Sequence, residues 1–269
     1  MEQPARQRAI SELYQNRAAA RLVSGAGLLR GGVSVSPLPV TSSGRSVLLL
    51  GATGLVGTEC LRLLIADESV ARVVVLSRSA LSGDIGSAKL ESHLIDFEHL
   101  TAIDRLFAVD QIICALGTTI KEAGSRARFR AVDFLYPITA AHLGREKGVP
   151  HFLLVSAAGA NAGSGIFYNR TKGELEDALL ALSYPSITIA RPSLLLGKRA
   201  RPRLGERIAG ALMSAAPARY RPVAASSVAQ ALVIAARDGG PGLNIIESSE
   251  IARAAITGER FSQPGTSGL

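Results

Sequence analysis

Apolar residues along this chain fall into short unbroken runs separated by longer stretches of helical spacing. The first run, Val47 to Leu50, stops at Gly51. Arg72 to Ser77 is a β-branched run closed by a turn. Leu94-Ile95 before Asp96, Gln111 to Ala115, His151 to Ser156 and Ser186 to Arg191 read as the third to sixth strands. Between them, residues 56–66, 129–147 and 168–183 repeat apolar positions at helical spacing. Residues 224–237 do so again, and Asn244 to Ile246 adds a last edge strand. Short strands that are apolar on both faces must be covered on both faces. The alternation therefore predicts an α/β fold, a doubly wound parallel sheet, over residues 45–257 with a small C-terminal substrate-side region. Such sheets bind ligands beyond the carboxyl ends of their strands, where the strand order reverses.

Composition adjusts this picture at the ends. Residues 1–44 carry five arginines and two glutamates, then become rich in Gly, Ser and Pro. A helix over 7–22 with Ile10, Leu13 and Tyr14 on one side is the only pattern there. The segment reads as a disordered or non-native extension, with a basic targeting segment as the alternative. Glu2 and Glu12 speak against a transit peptide, and no secretory apolar core is visible. Residues 258–269 read as a disordered tail. Cys60 and Cys114 lie in different predicted elements and read as free buried thiols suited to a reducing compartment, so a cytoplasmic protein is expected. His93, His99, His142 and His151 have no metal-ligand spacing, and no metal is expected. No apolar run is long enough to span a bilayer. The net charge of +8 lacks the aromatic-interleaved basic stripe of single-strand binders, so no nucleic acid is expected and an anionic ligand is the more economical partner.

The chemistry begins at Ser46 to Gly57, which reads Ser-Val-Leu-Leu-Leu-Gly-Ala-Thr-Gly-Leu-Val-Gly. A strand, a glycine turn and a helix N-terminus in that order hold a dinucleotide pyrophosphate. Gly51, Thr53, Gly54, Leu55, Val56 and Gly57 are the candidate contacts. About 20 residues on, at the end of the second strand, an acid would bond the ribose hydroxyls of NAD, whereas a base accommodates the 2′-phosphate of NADP. Ser77-Arg78 stands there, with no Asp or Glu between Val70 and Gly83. Arg78 is either the NADP(H) phosphate ligand, which is the cofactor expected, or a solvated arginine. Asp96-Phe97 ends the third strand where the adenine would lie. Ala115, Leu116 and Gly117 end the fourth, close to the cofactor, and Thr118 beside them is a ribose contact or a turn residue.

Tyr168 and Lys172 share one helix face at i and i+4, and Ser156 ends the strand before them. Delivering a hydride to a carbonyl leaves an oxyanion that needs a proton. A tyrosine supplies it, and a cation one turn away favours the phenolate form needed in reverse. Ser156 either orients the substrate oxygen or merely caps its strand.

A strand-end serine followed by Tyr-x-x-x-Lys, after a glycine-rich turn, resembles the short-chain dehydrogenase/reductase superfamily. Leu116 to Ser125, Val132 to Pro137, His151 to Asn161 and Arg191 to Gly197 are similar to its atypical Tat-interacting-protein-2-like oxidoreductase branch, over about residues 45–250. The resemblance implies a Rossmann-like single domain that binds NADPH, with Arg191, Pro192 and Ser193 beside the nicotinamide and Ser156, Tyr168 and Lys172 as the catalytic set. The family usually has glycine where this chain has Ser193. The superfamily also implies helix pairing into a homodimer. No substrate follows from the branch.

Lys198, Arg199, Arg201, Arg203 and Arg207 cluster beyond the sixth strand, either as a solvated loop or as contacts for an anionic substrate, a phospholipid surface or an acidic partner. Residues 208–216 read as an apolar lid. The chain is then expected to be an NADPH-dependent reductase of a small carbonyl substrate. A redox-sensing NADP(H) binder stands as the alternative. A nucleotide-sugar epimerase or dehydratase is disfavoured by the short stretch left after Arg191.

Overall fold

The computed structural model describes residues 44–83, 85–196 and 222–257, excepting the side chains of 254–257. The N-terminal extension, the basic cluster, the lid and the C-terminal tail expected from sequence lie outside the described residues.

The chain alternates β1 (Arg45–Leu50), α1 (Leu55–Ala66), β2 (Val70–Ser77), β3 (Leu90–Leu94), β4 (Gln111–Cys114), α2 (Ile120–Ala123), α3 (Arg126–Arg130), α4 (Tyr136–Glu146), β5 (His151–Val155), α5 (Phe167–Leu180) and β6 (Ser186–Arg191). Two short strands follow, β7 (Leu195–Leu196) and β8 (Val223–Ala224), then α6 (Ala225–Asp238), β9 (Gly242–Glu247) and α7 (Ser248–Thr257). A 3₁₀ run, Phe97–Phe107, is broken at His99 and Ile103. The main sheet has the order β3-β2-β1-β4-β5-β6-β9, and every pairing in it is parallel. Strand order therefore reverses between β1 and β4, and this is where a Rossmann-like sheet places its ligand crevice.

The core strands are apolar on both sides because both sides are covered. Val47, Leu48, Leu49 and Leu50 are wholly buried. On one face α1 packs closely on α6, with Cys60, Leu61 and Leu64 meeting the same cluster as Val228, Ala229 and Leu232. The 3₁₀ run, α4 and α5 cover the other face, burying Phe107, Ile138 and Leu179. Both cysteines are free and buried, as the sequence suggests. Burial pushes the Cys60 thiol up to about 12 and the Cys114 thiol to about 11, which keeps both protonated and inert.

Two elements differ from expectation. The third strand is Leu90–Leu94, ahead of the expected Leu94-Ile95. Its Leu-Glu-Ser-His-Leu pattern is half polar because it lies at the sheet edge, where one side meets solvent. The long helix expected over 129–147 is α3, a π-turn at Ala131–Leu135, and α4. Pro137 explains the break, since it lacks the N–H that would continue the i→i−4 ladder.

A buried polar network sits at the amino ends of the strands, away from the crevice. His151 Nε2 lies 3.0 Å from Thr188 Oγ1, and Nδ1 lies 3.5 Å from Gln111 Nε2. The Gln111 amide donates to the Ala236 carbonyl and accepts from Arg45 at 2.9 Å. This pattern suits a neutral imidazole carrying its proton on Nε2. Burial, helped by the Arg45 charge, pushes His151 from 6.5 down to about 4. The unfolded chain therefore binds the extra proton first, so stability is full above about 6.5 and falls as pH drops toward 4. We expect a loss on the order of 2 kcal/mol by pH 5, read from urea midpoints at pH 7.5 and 5. His151→Gln should remove most of that slope. An equal slope in the variant would rule out His151 as its source.

Candidate active site

The glycine turn leaves β1 where the strand order reverses. Gly51 has φ +85°, and a Cβ there would lie 2.5 Å from the Ala115 carbonyl oxygen at the exit of β4. A Cβ on Gly57 would lie 2.0 Å from the Gly51 carbonyl oxygen, so α1 is seated directly on the turn. The Gly54 N–H donates to Gly51 O at 2.9 Å, and Thr58 Oγ1 donates to Ala52 O at 2.9 Å. Gly54 is the N-cap of the twelve-residue α1 and has no side chain to satisfy its first amides. Thr53 and Gly54 are exposed there, Leu55 is half-buried, and Val56 and Gly57 are buried beneath. A cradle that a single methyl group would fill, with unsatisfied N–H groups at a helix start, fits a dinucleotide pyrophosphate.

The neighbouring strand ends divide the remaining candidates. Arg78 is exposed at the end of β2. Ser77 is buried, and its hydroxyl donates to Ser79 O at 2.8 Å, so its side chain shapes the turn. Asp96 is exposed. The Glu98 N–H and then the His99 imidazole hold its carboxyl below the usual range. Phe97 beside it is 4% exposed, with its ring 5.5 Å from that of Tyr136, so its side chain packs in the core. Ala115, Leu116 and Thr118 line the exit of β4 half-buried, with Gly117 exposed among them.

Tyr168 is half-buried in the first turn of α5, its ring 5.7 Å from the buried ring of Phe129. Lys172 follows one turn later and is 3% exposed. Its ammonium lies 2.8 Å from Asp133 Oδ1, and Asp133 Oδ2 accepts the Thr118 N–H at 2.8 Å. Burial alone would push the Lys172 ammonium down. The charge of Asp133, with a smaller contribution from Tyr168, outweighs it and leaves the pKa above the ordinary lysine value.

Ser156 follows β5 directly, at the strand end where it was expected. It is buried, and its hydroxyl donates to Glu176, itself buried one turn beyond Lys172 on α5. Arg191 closes the same cluster. Its Nη2 is 2.6 Å from Glu176 Oε2 and its Nη1 is 3.1 Å from Glu247 Oε1. Its fork ties β6 to α5 and β9. Pro192 is buried, and its carbonyl accepts the Ala158 N–H at 2.8 Å. The Ser193 N–H donates to Ser248 Oγ at 3.1 Å. Asp133, Glu176 and Glu247 were not legible as site residues. A usable signal exists for Glu176, an acid at i+4 from Lys172 on the Tyr168 face.

Comparison with known proteins agrees with this geometry. The model of the NAD dependent epimerase/dehydratase family matches residues 47–218. Protein FMP52-1, mitochondrial, of Scheffersomyces stipitis is 38% identical over 159 residues, covering 57% of this chain and 69% of that protein. Protein HTATIP2 of Rattus norvegicus is 30% identical, covering 64% of this chain and 72% of that protein. Among solved structures, MoeE5 in complex with UDP-glucose and NAD superposes with a TM-score of 0.60 at 19% identity, covering 79% of this chain and 82% of that one. The enzyme WbmG of Bordetella bronchiseptica, in complex with NAD, gives 0.59 at 16%, covering 86% and 85%. These two likenesses concern the fold. The cytoplasmic location expected from the thiols is overturned, because FMP52 relatives from several fungi are named mitochondrial. Buried thiols do not distinguish the two compartments. With the glycine cradle, the parallel sheet and the Tyr-x-x-x-Lys helix all in register, the chain belongs to the NAD dependent epimerase/dehydratase family, in the atypical short-chain dehydrogenase branch that includes FMP52 and HTATIP2.

Proposed function

We propose that this protein is an NADP(H)-dependent oxidoreductase that reduces a small carbonyl substrate, with Tyr168 and Lys172 at the reacting centre. The observation that carries this reading is a buried, charged lysine one helical turn from a half-buried tyrosine, on the helix beside the dinucleotide crevice. The dinucleotide supplies the hydride. Tyr168 donates its phenolic proton to the oxygen of the carbonyl as that oxygen gains charge. Lys172 would hold the nicotinamide ribose through its ammonium and keep positive charge beside the phenol. Ser156 acts at one remove by holding Glu176, and Glu176 with Arg191 braces the end of β6.

NADP(H) is proposed over NAD(H) because Arg78 is exposed at the end of β2 with no acid beside it on that strand end. Arg78→Ala should weaken NADPH about tenfold or more and leave NADH nearly unchanged, as read by fluorescence titration. Equal losses for both cofactors would remove the specificity argument. Tight NADPH binding without turnover of any carbonyl would move the reading to a redox-sensing binder. We also propose a mitochondrial setting, by analogy with the FMP52 relatives. Fractionation of cells expressing the full chain tests it, and recovery in the cytosolic fraction alone would contradict it.

A further inference from the structure

Asp133 lies in the π-turn, outside the glycine motif and the Tyr-x-x-x-Lys pattern, yet its residue is 0% exposed. A carboxylate is not left in such a place without compensation. Each of its oxygens has one task. Oδ1 sits 2.8 Å from Lys172 Nζ as an ion pair, and among the described residues no donor meets it in hydrogen-bond geometry. Oδ2 accepts the backbone N–H of Thr118, on the segment that leaves β4 at the crevice. Three elements therefore meet at one side chain: the π-turn, the β4 exit and α5.

We propose that Asp133 is the positioning residue of this site: it holds Lys172 charged and aimed at the nicotinamide end of the crevice, and locks the Thr118 segment to it. This rests on the reading that Lys172 meets the nicotinamide ribose. The Asp133 carboxylate, 2.8 Å away, holds the ammonium in place by charge. Its position at the crevice is thereby restricted, whereas a lone lysine on its flexible stem would be free to move. The charged and titratable groups facing Lys172 are Asp133 from the π-turn, Tyr168 from α5 and Cys114 from β4. Cys114 is neutral in the working range, since burial pushes it to about 11. Asp133 is thus the one full negative charge among these neighbours. Without it, burial favours the neutral amine.

The test is Asp133→Asn, which keeps the shape and the acceptor for Thr118 but removes the charge. NADPH binding is measured by fluorescence titration at pH 6.5 and pH 9, beside 2′,5′-ADP, which occupies only the adenosine half. Wild-type affinity for NADPH should be flat between the two pH values. In Asp133→Asn it should weaken about tenfold or more at pH 9, as the uncompensated lysine loses its proton. Binding of 2′,5′-ADP should match wild type at both pH values. Lys172→Met should be weak for NADPH at both, with no slope. A cofactor-free arm follows the Lys172 Nζ by ¹⁵N NMR: it stays an ammonium through pH 9 in wild type and loses its proton below pH 9 in Asp133→Asn. A flat NADPH profile for Asp133→Asn, or a persistent ammonium, overturns the inference. Equal weakening of 2′,5′-ADP does too, since it marks a general structural defect. If wild type fails to bind NADPH while the NMR arm behaves as stated, the cofactor reading fails and the charge-holding role stands. If Asp133→Asn does not fold, Asp133→Glu keeps the charge but displaces it. That variant must then weaken NADPH at least about threefold and spare 2′,5′-ADP, and wild-type affinity for both would overturn the inference.

Discussion

Tyr168→Phe is expected to lower turnover by about 10²–10⁴-fold while leaving NADPH affinity within about twofold of wild type. The asymmetry follows from where the ring sits. Its edge packs on Phe129, and phenylalanine preserves that contact. Only the hydroxyl is lost, and no hydrogen bond from it supports the fold among the described residues. The proton for the developing alkoxide must then come from elsewhere. Ser156 does not replace it, because its own proton is bound to Glu176. A Ser156→Ala variant should accordingly lose less turnover than Tyr168→Phe, and part of that loss should appear as stability, since Glu176 loses a partner in a buried site. Steady-state kinetics on both variants, with urea midpoints alongside, separates the two roles. Comparable kinetic losses with no loss of stability for Ser156→Ala would restore the serine to direct contact with the substrate.

The second large effect is expected at Gly57. Alanine there places a methyl carbon 2.0 Å from the Gly51 carbonyl oxygen, a backbone atom that cannot step aside without moving the turn. The turn is itself pinned by the Ala115 carbonyl, 2.5 Å from the corresponding point on Gly51. The helix start and the phosphate turn must therefore separate. Overpacking of this kind costs roughly 1–3 kcal/mol of stability. The larger effect is on the ligand, whose phosphates need the turn and the helix amides together. NADPH affinity should fall by about 100-fold or more, on the scale of two charge-assisted hydrogen bonds. Gly165→Ala, outside the glycine turn, is the control. A Cβ there meets nothing within 4 Å, so it should lose much less. Titration of the two variants in parallel decides this, and equal affinities would mean that the cradle is not where the pyrophosphate lies.

The fold was legible because its strands carry their own evidence. Val47 to Leu50, four apolar residues that stop at a glycine, are too short for a buried helix and read as a strand, and all four are wholly buried. The glycine turn was legible for the same reason, since its demands are local to the backbone. Leu90–Leu94 was not, because an edge strand is half polar and its period resembles a loop. The helix across 129–147 was read as one element because apolar spacing continues through the π-turn, and only Pro137 hinted at the break. Side-chain direction was the least legible. Ser156 sits at a strand end in sequence, but which way its hydroxyl turns is decided by Glu176, twenty residues on. Arg191 was read toward the cofactor, while two carboxylates on other elements claim it. Asp133 was passed over because its partner, Lys172, lies across the fold. Pairings between distant elements leave no periodicity in the chain, so they are found only once the sheet order brings those elements together.

The central claim is hydride transfer at Tyr168 and Lys172 from a dinucleotide held by the glycine cradle. Its most direct measurement uses NADPH deuterated at the transferable C4 position, incubated with the full chain and a panel of aldehydes and ketones, with product mass as the readout. Deuterium on the carbinol carbon of at least one alcohol product, present with wild type and absent with Tyr168→Phe, is the predicted result. Saturated NADPH binding with no label in any product, or equal label with both proteins, would contradict the account.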